Sequence, residues 1–126
     1  MSDLILPAAM ENTYKNFKFA PARRHDGKVY CSGQIGTDAN GKVPEQPEEE
    51  FRNAFNLVGI ILEEAGLDFS NIIEMTTYHV GLQENMGKFM KVKDEFLNEP
   101  YPAWTAIGIS ELAVPGARVE IRVVGG

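Results

Sequence analysis

An α+β fold, with elements in the order β-β-α-β-α-β-β and two helices on one face of a mixed sheet, is the class this sequence predicts. Three observations carry that expectation. Two stretches repeat apolar residues at helical spacing, five shorter runs favour β structure, and Gly, Pro or Asp-Gly stands at the junctions between them. The 126 residues, 44% of them hydrophobic, are expected to form one domain (1–126) around one core.

The elements follow in order. "FKFAPARRHDGKVYCSGQIG" holds two β-suited segments around Asp26-Gly27, a pair that tolerates the positive φ angles of a tight hairpin. In "PEEEFRNAFNLVGIILEEAG", Phe51, Ala54, Phe55, Val58, Ile61, Leu62 and Ala65 recur at helical spacing, with Pro47 to open the helix and Gly66 to close it. Glu48, Glu49 and Glu50 fall in the first turn, where the positive end of the helix dipole accounts for all three. "IIEMTTYHV" (72–80) is rich in β-branched and aromatic residues and predicts a strand. "ENMGKFMKVKDEFLNEP" sets Met86, Phe89, Met90, Lys93, Phe96 and Leu97 along a second helix ending before Pro100, its methionines serving as core packing. "WTAIGIS" and "ARVEIRVV" read as strands on either side of a Pro115-Gly116 turn. With both helices on one side, the other sheet face is left bare, and it is apolar enough to predict an oligomer that stacks sheet on sheet.

Composition narrows the function. A formal charge of −6 offers phosphate backbones little to hold, so nucleic acid is not an expected partner. The apolar runs are too short to span a bilayer, and "MSDLILPAAM" lacks the basic start of a secretory signal, which predicts a soluble, cytoplasmic protein with no membrane partner. The single cysteine, Cys31, reads as a small buried group rather than a reactive thiol. Two histidines, His25 and His79, cannot assemble a metal cluster of familiar spacing. There is no phosphate-loop motif, and no nucleophile elbow supports a triad built from Ser32 and His79. No metal and no cofactor is expected.

Two residues stand out in the last two strands, Trp104 and Glu120. Taken with "YCSGQIG", the helix end "ILEEAG", the "YPAW" entry and the closing "VEIRVV", they place the chain in a known setting. Across almost its whole length it resembles the Rid family of reactive-intermediate deaminases, also called YjgF-like or endoribonuclease L-PSP-like proteins.

The resemblance implies a chorismate-mutase-like homotrimer with small-molecule clefts at the subunit boundaries, hydrolysing amino-acid imines or enamines with water as nucleophile. It implies Glu120 as the catalytic carboxylate and Ser32, Trp104, Thr105, Phe19 and Met90 as substrate-binding positions. Three of these depart from the family pattern: Trp104 stands where an arginine grips the substrate carboxylate, Phe19 where a tyrosine is usual, and Met90 near an asparagine. Tryptophan has one N–H donor and cannot replace a two-pronged cation. The expectation is therefore a deaminase whose substrate lacks an arginine-bound carboxylate, or a non-catalytic binder of an apolar or aromatic metabolite. Arg23 or Arg24 could restore the missing cation. The structural alternative for Glu120 is an ion pair with Arg118, Arg122 or a neighbouring subunit's Arg23 or Arg24.

Overall fold

The fold is described by a computed structural model, from residue 3 to residue 126. It contains β1 (Leu4–Ile5), α1 (Glu11–Phe17), β2 (Ala22–His25), β3 (Lys28–Cys31), β4 (Gln34–Ile35), α2 (Pro47–Glu64), β5 (Ile72–His79), α3 (Leu82–Phe96), β6 (Ala103–Gly108) and β7 (Val119–Gly125). The strands form one mixed seven-stranded sheet in the order β1-β2-β3-β7-β5-β6, with β4 also on β7. Among the described residues only β5 and β6 run parallel, joined through α3.

Local signals explain the elements that the sequence predicts. Asp26 and Gly27 take φ of 50° and 76°, and the backbone twist of such a turn matches the strands on either side, so β2 and β3 pair as a hairpin. Pro47 occupies the first turn of α2, and Gly66 (φ 78°) ends it, with the Leu67 N–H donating back to the Leu62 carbonyl. The apolar stripe of α2 is buried along its length, Phe51, Ala54, Phe55, Val58, Ile61 and Leu62 packing with Phe89 and Val92 of α3 over Met75, Val119, Ile121 and Val123 of the sheet.

Four expectations are corrected. The chain adds β1, α1 and β4 to the predicted order; β1 and β4 are two residues each, and α1 buries no residue, so none leaves a periodic signal. The last two strands are not joined by a tight turn. A loop spans 109–118, and β5 lies between β6 and β7. Met90 is 38% exposed, and the inward stripe of α3 runs through Phe89 and Val92. Glu50 is completely buried, so the helix dipole alone does not account for it.

Strand register defines the bare face. Met75, Thr77 and His79 of β5 and Val119, Ile121 and Val123 of β7 turn toward the helices and are buried. The alternate residues form rows across the opposite face: Ile107, Tyr78, Glu120 and Ile35 in one, Thr105, Thr76 and Arg122 in the next. Ile107 and Tyr30, on β6 and β3, are each 40% exposed there.

Candidate functional site

The site begins with a fault in the strand pairing. Tyr30 is paired with Val124 and Gln34 with Ile121, so residues 31, 32 and 33 lie opposite only 122 and 123. The extra residue makes a bulge between β3 and β4, a device that kinks a strand and re-aims its side chains. Ser32 is anchored in it: its N–H donates to the Pro21 carbonyl (2.8 Å) and its hydroxyl to the Ala20 carbonyl (2.6 Å), which holds the segment carrying Phe19 against the bulge. Phe19 is 46% exposed and lines a cavity of about 370 Å³ with Met10, Pro21, Gly33, Gln34 and Ile35.

Glu120 lies against this bulge. A Cβ on Gly33 would overlap the Glu120 carboxylate, so the glycine makes the space the acid occupies. The carboxylate is half-buried and forms no hydrogen bond or ion pair with any described residue. Burial pushes its pKa above the usual glutamate value, because the ionised form loses solvation and gains no partner. The structural partners expected for it are occupied or apart. Arg118 Nη1 binds Glu50 Oε1 at 2.7 Å, Arg24 Nη2 donates to the Ala65 carbonyl at 2.8 Å, and Arg122 makes no ion pair. Gly33→Ala should displace the Glu120 side chain with little effect on the hairpin, so activity should fall more than thermal stability. Unchanged turnover in Gly33→Ala would show that the carboxylate does not act from this position.

Trp104 lies elsewhere. It pairs with Met75, on the helix-facing side of the sheet, whereas Glu120 pairs with Tyr78 on the bare face. One chain therefore does not bring the indole and the carboxylate together. The indole N–H donates to Thr77 Oγ1 at 2.9 Å, and the ring leans on Phe89 with centroids 5.9 Å apart, while the Lys93 ammonium sits 5.2 Å from the indole centroid. With Thr77 Oγ1 accepting from the indole, its own proton is free for His79 Nε2, 2.7 Å away. Burial depresses the His79 pKa, favouring the neutral ring that this bond needs. The α3 residues set against the indole are Phe89, by ring contact, and Lys93, by its charge.

The predicted positions thus divide into two groups. Phe19, Ser32 and Glu120 gather at the bulge, with Thr105 two strands away on the same face; Trp104 and Met90 belong to the edge formed by β6 and α3. Gly33 is visible in the "CSGQIG" run without a role attached to it; Phe89 shows in the sequence only as a member of a helical stripe, and the roles of Thr77 and Glu50 leave no signal, because the Thr77–Trp104 and Glu50–Arg118 contacts join separate elements. A separate cavity of about 440 Å³ between the start of α3 and the 110–118 loop contains none of the predicted positions. No cluster of three or more His, Cys, Asp or Glu that could hold a metal ion occurs among the described residues, and no helix among them is long and apolar enough to cross a membrane.

Comparison with known proteins adds four findings. The family model described as Endoribonuclease L-PSP matches residues 11–125. The RutC family protein YjgH of Escherichia coli (strain K12) is 32% identical over 121 residues, covering 95% of this chain and 91% of that protein. The 2-iminobutanoate/2-iminopropanoate deaminase of Bos taurus is 35% identical over 104 residues, 79% and 72% of the two chains. Among solved structures, one of a protein named YjgH superposes with a TM-score of 0.87 at 32% identity, covering 97% of this chain and 93% of the other.

Proposed function

Since this chain belongs to the Endoribonuclease L-PSP family of Rid/YjgF-like proteins, we propose that it is a homotrimeric, cofactor-independent hydrolase of a small imine or enamine, acting in clefts between subunits. The observation that carries this reading is the half-buried Glu120 carboxylate, unpartnered and with its pKa raised. A carboxylate in that condition is a competent proton acceptor near neutral pH. From the protonated imine, water adds its oxygen to the C=N carbon and passes a proton to Glu120, giving a neutral carbinolamine; Glu120 returns that proton to the nitrogen, the C–N bond breaks to release ammonia, and the hydroxyl proton goes to solvent as the carbonyl forms.

The two groups of predicted positions support the inter-subunit cleft. A site containing both Trp104 and Glu120 needs the β6–α3 edge of one copy against the bulge of the next, and an apolar bare face favours such packing. Light scattering is expected to give three times the 14.0 kDa chain mass; a strictly monomeric species at micromolar concentration would remove the cleft. Position 104 offers the substrate a carbon surface only, since its one N–H is spent on Thr77. The substrate is therefore read as one that presents no carboxylate at this position.

The test is ammonia release from a panel of imines generated in situ by amine and amino-acid oxidases. Acceleration over the spontaneous rate is expected for at least one. If an intact oligomer accelerates none, the non-catalytic binder becomes the better reading, a view that the apolar surface at Trp104 favours. Ligand binding weakened by Trp104→Ala and unaffected by Glu120→Gln would then identify it.

A further inference from the structure

Glu120 has a counterpart on its own strand. Arg122 stands two residues along β7, on the same bare face, and both side chains are half-buried. Glu120 touches Gly33, while the Arg122 guanidinium lies near enough to Cys31 to oppose the rise that burial imposes on that thiol. Opposite charges at such spacing, about 6.7 Å between Cα atoms, could close on each other given the length of an arginine side chain. They do not: neither has an ion pair or side-chain hydrogen bond with any described residue. Glu74, another acid on this face, is not paired with Arg122 either, and Thr76, directly opposite Arg122, is uncharged.

We infer that Arg122 and Glu120 form a two-charge seat for a small ligand carrying both an anionic group and a nitrogen-borne proton, the anion on the guanidinium and the nitrogen at the carboxylate. Two half-buried charges left apart retain their full bonding capacity for a third group, and each has already lost part of its hydration. The planar guanidinium offers a fork of donors suited to a carboxylate. Arg118 and Arg24 cannot serve, being committed to Glu50 and to the Ala65 carbonyl. The inference rests on Glu120 lining a ligand cleft, and it deepens the proposed function by giving the substrate an anion held from β7 instead of from position 104.

Calorimetric titration with three unreactive probes tests it: β-alanine, which carries both charges, and propanoate and propylamine, which carry one each. At mildly alkaline pH the unaltered protein should bind β-alanine at least about tenfold more tightly than either single-charge probe, the gain of one charge-assisted contact. Arg122→Met should reduce β-alanine to the level of propylamine, Glu120→Gln should reduce it to that of propanoate, and Arg122→Lys should recover part of the preference. Equal affinity for the three probes in the unaltered protein overturns the inference, as does a preference that survives Arg122→Met. Dissociation of the oligomer in Arg122→Met, with Arg122→Lys still assembled, would assign the guanidinium to a neighbouring copy's carboxylate and overturn it equally. The outcome is separable from that of the hydrolysis reading. Preference for β-alanine without ammonia release from any imine sinks hydrolysis alone, and ammonia release without the preference sinks the seat alone.

Discussion

Glu120→Gln is expected to lower the rate of imine hydrolysis by about 10²- to 10⁴-fold, the range for losing a positioned general base, while leaving the protein at least as stable as before. Glutamine keeps the shape and the fit against Gly33 but cannot take a proton from water. The stability half of the prediction follows from the direction of the pKa shift. Burial raises the folded-state pKa of Glu120, so the folded chain holds that proton more tightly than the unfolded chain does. Stability linked to this group is fully present at pH below the ordinary glutamate value and is lost as pH rises through the raised folded pKa. At neutral pH the ionised carboxylate is a burden that glutamine does not carry. A base at Glu120 acts when ionised, so on the proposed reading the rate in the unaltered protein should rise with pH through a midpoint above the ordinary glutamate value, and Glu120→Gln should lack that limb. Ammonia release as a function of pH, alongside thermal denaturation, measures both halves. Turnover that persists in the variant would dismiss Glu120 as the base; a large fall in melting temperature would mean that the carboxylate is structural.

The largest effect on stability should come from Glu50→Ala, a loss of roughly 3–5 kcal/mol. Glu50 is wholly buried near the start of α2, and its carboxylate gathers three donors from the junction of the 109–118 loop with β7: Arg118 Nη1 on Oε1 at 2.7 Å, and the Arg118 and Val119 backbone N–H groups on Oε2 at 2.7 and 3.3 Å. Arg118 also donates to the Pro44 and Glu45 carbonyls, so this one acid ties the loop before α2 to the first residues of β7. Alanine would leave two backbone donors and a partly buried guanidinium without their acceptor, which costs more than the net worth of the bonds. Glu50→Gln keeps one carbonyl acceptor and should lose less. Chemical denaturation distinguishes the cases, and a midpoint for Glu50→Ala equal to that of Glu48→Ala would show that burial of this carboxylate carries no weight. Because Val119 adjoins Glu120, a destabilised variant should also release ammonia from imines more slowly if the proposed function holds.

The contrast between Glu50 and Glu48 shows where the amino-acid order stops being informative. All three acids in "PEEEF" satisfy the helix dipole, and nothing in the run marks the third as the one whose rotation about α2 carries it under the start of β7. The stripe from Phe51 to Ala65 was legible because burial along one helix repeats every three to four residues, whichever surface covers it. The Asp26-Gly27 hairpin was legible because its conformation is set within four residues. β1, β4 and α1 were not legible, since two residues cannot show alternation and an unburied helix shows no stripe.

Residue order is enough for both principal helices, the five longer strands, and the resemblance that marks Ser32, Trp104 and Glu120. It takes the folded chain to show that β5 separates β6 from β7, that Trp104 spends its N–H on Thr77 behind the sheet, and that Glu120 and Arg122 stand in front of it without pairing. The strand repeat explains the difference. Alternation says that neighbours on one strand point opposite ways, but the face that a residue shares with residues on other strands depends on register, and register is settled by long-range pairing and by which face the helices cover.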